Sequence, residues 1–172
     1  MSALWCLSEL WIGLRHRAAD RGRDDGTLVR RVLVVGGGTS ALQFLLQLEA
    51  AGAQVTVARP DLGEPLPDPA AFTGTADALV VLGGAAGALD DAGSPWFPHV
   101  RGLLAASGHG AFPSFNICLG GQMLAVATGG SISRREAGQY GALEIVPTPE
   151  AAADPVFSAH PARGRSVLFH RD

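Results

Sequence analysis

The 172-residue sequence has no lysine, since all thirteen basic residues are arginine. That removes Schiff-base chemistry and a phosphate-loop lysine from consideration. Charge is scarce at 17%, and the net charge of -3 leaves no broad electrostatic footprint for nucleic acid. There are only two cysteines, Cys6 and Cys118, far apart and in no CxxC pair. They make neither a disulfide framework nor a zinc site, so a reduced, cytoplasmic protein without metal or cofactor is expected. Long apolar runs are also missing, so no membrane span is expected. The patch Leu10–Leu14 is short and leads into charges rather than a cleavage site. What is abundant is hydrophobic residues, at 47%, enough for one compact domain with a real core.

Residues 1–30 differ in composition from the rest. Trp5, Leu7, Leu10, Trp11 and Leu14 have the spacing of a short amphipathic helix, followed by a charge-dense stretch up to Arg31. This segment reads as an N-terminal extension, and residues 31–172 as the organised domain. Val32-Leu33-Val34-Val35, running into Gly36-Gly37-Gly38, predicts a buried parallel strand. Residues 40–51 predict a helix with Leu42, Leu45, Leu46 and Leu48 on its apolar face and Gly52 as its cap. Strands are predicted at 54–58, 78–82 and 112–117, and helices at 98–107 and 120–127. This alternation predicts a three-layer α/β domain with a mainly parallel central sheet. Its ligand site belongs at the carboxyl ends of the strands, where Gly38, Gly84 and Cys118 fall.

The most informative stretch is Asn116-Ile117-Cys118-Leu119-Gly120-Gly121-Gln122. A cysteine between a buried strand and a helix sits on a tight turn with its sulfur at the sheet edge, beside helix N–H groups that favour negative charge. Gly120 and Gly121 are small enough for substrate to approach the backbone. By itself this turn also fits an inert core cysteine.

Cys118-Leu119-Gly120-Gly121-Gln122-Met123-Leu124-Ala125 resembles the nucleophile signature of type 1 (class I) glutamine amidotransferases. Asp77–Gly84 looks like the strand and glycine turn before that family's oxyanion loop, and Asp90-Asp91 with Pro95-Trp96 matches the following segment in the GMP synthase-like branch. Gly129-Gly130, Glu136 with Gly138, Asp154–Phe157 and His170 with Asp172 follow in the family's order, so the resemblance covers 31–172. It implies a class I amidotransferase-like, flavodoxin-like fold and hydrolysis of glutamine to glutamate and ammonia. Cys118 would be the nucleophile, the backbone N–H groups of Gly84 and Leu119 the oxyanion hole, and Gln122 a substrate-binding residue. In such proteins the ammonia passes to a synthase domain or partner.

Three positions depart from the family pattern. Gly121 stands where the signature has histidine, and Ala85 where proline is frequent. The family's base, a histidine with a glutamate two residues on, belongs to a late motif that would fall beyond Asp172. His160-Pro161-Ala162 comes too early and lacks the acid, while His16, His99 and His109 read as solvated. A truncated chain would be expected to expose a sheet edge and depend on a partner. Two other readings stay open: a non-catalytic amidotransferase-like binding module, and an NADP-binding Rossmann protein. The latter rests on Gly36-Gly37-Gly38-Thr39-Ser40-Ala41, with Arg59 at the end of the second strand where NAD binders have an acid.

Overall fold

The structure is a computed structural model that describes residues 31–36, 39–134, 136–153, 158 and 163–170. The extension 1–30, Gly37 and Gly38, Asp154–Phe157, His160 and Asp172 lie outside the described residues. The chain divides into two compact units. One is Thr27–Ile132, and the described part of the other begins at Ser133.

The first unit is built on four parallel strands in the order β2-β1-β3-β4: β1 Arg31–Val35, β2 Gln54–Ala58, β3 Ala78–Val81 and β4 Ser114–Asn116. Parallel neighbours need crossover connections. Helix α1 (Thr39–Ala50) links β1 to β2, a connection containing the one-turn helix α2 (Phe72–Thr75) leads to β3, and α3 (Phe97–Gly108) links β3 to β4. Helix α4 (Leu119–Ala127) follows β4 almost without a break.

The apolar runs of the central strands β1 and β3 are buried on both sides, as strands covered on both faces require, whereas Thr56 and Val57 on the edge strand β2 are exposed. Leu33, Val35, Leu79 and Val81 join Phe72, Phe97, Val100, Leu103, Leu104, Phe112, Leu119 and Met123 in one core. Val32, Val34, Ala78 and Val80, on the opposite face, are buried too. Arg31 ties the start of β1 to the β3 entrance: its backbone N–H and guanidinium both donate to Asp77, at 2.9 and 2.7 Å.

Each predicted element of this unit is found, with edges moved for identifiable reasons. Strand β4 is shorter than 112–117 because Pro113 has no N–H to donate. The ladder starts instead at its carbonyl, which accepts from Leu79 N at 3.1 Å, while Phe112 turns into the core. Helix α3 begins one residue early, with Pro98 in its first turn, where a missing N–H costs nothing. In α1, Leu48 is buried but Leu46 faces out, 55% exposed.

In the second unit, β5 (Gln139–Ile145) and β6 (Gly164–His170) form an antiparallel ribbon with Ala142 opposite Val167. Neither strand is foreshadowed by the sequence pattern. Gly141 interrupts β5 with φ 102°, and the segment carries no β-branched run to signal a strand.

Candidate active site

Strand order reverses between β1 and β3, with β2 on one side and β4 on the other. At such a switch point a crevice opens at the carboxyl ends of the strands. Two backbone segments meet there: Leu82-Gly83-Gly84 leaving β3, and Ile117-Cys118 leaving β4.

Cys118 is exposed and is the N-cap of α4. Its backbone has φ 52° and ψ -108°, and among the described residues it is the one non-glycine with positive φ. The turn is held at both ends. Ile117 N donates to Val81 O at 2.9 Å, extending the β3–β4 ladder, and Gln122 N donates to Cys118 O at 3.0 Å, opening the helix. A thiol is thereby lifted off the sheet edge beside the first amides of a nine-residue helix, which lack intrahelical acceptors.

Such a conformation costs about 1–3 kcal/mol in a residue with a Cβ. Glycine at this position would relieve it, offset by roughly 0.5–1 kcal/mol for glycine's freer unfolded chain. Cys118→Gly is therefore expected to raise the urea midpoint, while Cys118→Ala, which keeps the Cβ, stays close to the parent. A lower midpoint for Cys118→Gly would show that the turn is unstrained.

The glycine loop lies directly against this turn. A Cβ on Gly83 would come within 3.3 Å of the Cys118 Cβ and 3.9 Å of its Sγ, and one on Gly84 within 2.8 Å of the Leu119 side chain. The structure thus brings Cys118, Leu119 and Gly84 together, with Gln122 one helical turn further along. Gly120 serves packing rather than substrate approach. It is buried, and a Cβ there would meet Val81 O at 2.4 Å, so α4 rides on the end of β3 with room only for hydrogen. Gly121 is different: a Cβ there makes an ordinary contact, 3.7 Å from Asn116 O, so the site admits a larger residue where the signature has histidine.

The loop beyond Gly84 is fastened by Arg101 on α3, a residue that no sequence motif singles out. Its guanidinium donates to Ala88 O at 2.9 Å and to both Asp91 carboxylate oxygens at 2.8 and 2.6 Å. The hydrogen bond from Arg101 holds the Asp91 carboxyl below its ordinary range. Asp91 belongs to a motif visible in the sequence, but its partner lies ten residues on, in another element, at a spacing with no periodic signal.

His99 and His109 are exposed, as expected, and their rings pair with the carbonyls of Pro67 at 2.9 Å and Ala105 at 2.7 Å. Arg59 is committed as well: its fork donates to both oxygens of Asp61, at 2.9 and 2.6 Å. Among the described residues no cluster of histidine, cysteine and carboxylates could hold a metal, and no helix is long and apolar enough to cross a membrane.

No family model matches the chain, and no curated protein matches it significantly. Solved structures do. A glutamine amidotransferase from Thermotoga maritima is 23% identical with a TM-score of 0.66, over 83% of this chain and 60% of that one. A glutamine amidotransferase from Methylobacillus flagellatus is 24% identical with a TM-score of 0.64, over 84% and 56%. A GMP synthase-like protein from Thermoplasma acidophilum is 19% identical with a TM-score of 0.59, over 83% and 65%. The chain spans less than two thirds of the length of each. At these identities the likeness is one of architecture: the chain has the flavodoxin-like α/β fold of class I glutamine amidotransferase structures.

Proposed function

We propose that this chain is a glutamine amidotransferase-like protein in which Cys118 is the nucleophile toward the side-chain carboxamide of glutamine. The observation that carries this is the strained Cys118 turn, packed edge to edge with the Gly83-Gly84 loop. The thiolate attacks the carboxamide carbon, and the carbonyl oxygen takes up the charge of the tetrahedral intermediate. The backbone N–H groups of Gly84 and Leu119 receive that oxyanion, in positions fixed before the reaction. Gln122 holds the substrate. Collapse breaks the C–N bond, the nitrogen takes a proton and leaves as ammonia, and a glutamyl thioester remains on Cys118. Water then releases glutamate and regenerates the thiol.

Protonating the leaving nitrogen calls for a histidinium acid, and activating the water calls for the same histidine as a base. Such proton transfers contribute about 10²–10⁴-fold. His99 and His109 are bonded to carbonyls elsewhere, so full turnover requires a histidine from outside the Cys118 constellation. The ammonia acceptor would be a synthase partner. Among the described residues, the engagement of His99 and His109 favours, as a second reading, a non-catalytic module that binds a small ligand or a partner. The NADP reading is weakened by the pairing of Arg59 with Asp61.

A glutamine-analogue chloroketone tests the proposal. Mass spectrometry should find a single adduct at Cys118, slowed by excess L-glutamine and absent from Cys118→Ala. If Cys118 reacts with iodoacetamide but not with the chloroketone, or L-glutamine gives no protection, the site does not bind glutamine.

A further inference from the structure

We propose that Arg101 is a positioning residue for the oxyanion loop, holding the Gly83-Gly84 backbone against Cys118. This rests on the reading of Gly84 as a charge-stabilising donor. An amide donor lowers a barrier only if it is fixed where charge develops, and a donor on a swinging loop loses that advantage. The chain from Leu82 to Trp96 contains neither strand nor helix, the kind of segment that opens most readily.

Two posts limit its movement near the site. The first is β3 itself, from which Leu82 N donates to Val35 O at 3.0 Å. The second is Ala88, fully buried in the core, with its carbonyl capped by Arg101. Gly83, Gly84 and the turn after them span the short gap between the posts. Arg101 can serve as a post because α3 is rigidly seated: Val100, Leu103 and Leu104 have no exposed surface. Its own side chain is only 16% exposed, and its planar fork takes both Asp91 oxygens while reaching the Ala88 carbonyl. Lysine, a point charge, cannot reproduce that geometry. Asp91 is 45% exposed, so the pair adds little to global stability. The clamp should therefore show in reactivity rather than in melting.

The test compares two electrophiles on the full chain and its Arg101→Gln and Arg101→Lys variants. The glutamine-analogue chloroketone passes through a tetrahedral adduct and needs the oxyanion donors, whereas iodoacetamide reacts by direct displacement and does not. The chloroketone rate at Cys118 should fall about 10-fold in both variants, less than the roughly 10²–10³-fold loss seen when a donor is removed outright. The iodoacetamide rate should stay within about twofold, with the melting midpoint nearly unchanged. Equal loss with both reagents, or no loss with either, overturns the proposal. If the parent chain shows no glutamine-protected chloroketone reaction, the glutamine reading itself fails. Hydrogen exchange at the Gly83–Gly87 amides then decides the clamp: faster exchange in Arg101→Gln, with α3 unchanged, supports it, and unchanged exchange sinks it.

Discussion

Gly120→Ala is expected to destabilise the first unit by about 1–3 kcal/mol and to slow chloroketone labelling of Cys118 more than the Arg101 variants do. The added methyl meets the Val81 carbonyl oxygen at 2.4 Å, a clash with backbone at the end of a central strand. Neither side has a flexible side chain to give way. Relief comes only from lifting the first turn of α4 away from β3, and that turn begins at Cys118 and Leu119. One methyl group therefore acts on stability and reactivity through the same displacement. Urea denaturation and labelling rates check the two effects. Gly121→Ala is the control, because a Cβ there has ordinary room, and it should change both by little. Similar behaviour of the two alanine variants would mean that α4 is not seated on β3 as described.

Phe72→Ala is expected to cost about 3–5 kcal/mol, a large part of the roughly 5–15 kcal/mol by which a domain is stable. Phe72 has no exposed surface and stacks on Phe112, with ring centroids 3.8 Å apart and planes at 21°. The pair joins the β2–β3 connection to the entrance of β4, at the end of that strand opposite Cys118. Truncation leaves a cavity that α2, a single turn, cannot fill without releasing the Ala76 N–Phe72 O bond of 2.8 Å. Phe72→Leu should lose much less, because it retains most of the volume. Denaturation midpoints of the two variants give the comparison, and a loss below about 1 kcal/mol for alanine would indicate a core loose enough to collapse around the gap.

Much of this unit could be read from the chain. The runs at 32–35 and 78–81 are apolar because both sheet faces are covered, and that pattern survives in one dimension. So does the sequence of strand, Cys118 and helix. What could not be read depends on proximity between distant segments. The contact of Gly84 with Leu119, the seat of Gly120 on Val81 and the fork of Arg101 on Asp91 are properties of a close approach, not of spacing. The β5–β6 ribbon is hidden for a different reason. With Tyr140 and Val167 well exposed and Gly141 in its midst, it lacks the buried apolar run that marks the central strands.

The positive φ at Cys118 has a consequence for how this position drifts over generations. A single base change converts a cysteine codon into a glycine codon, and glycine is the residue this turn accommodates without strain. In a lineage where the thiol is idle, that change removes a cost and loses nothing. Glycine at position 118 is thus the replacement expected of descendants that have abandoned the chemistry, whereas descendants that still use it must keep the costlier residue.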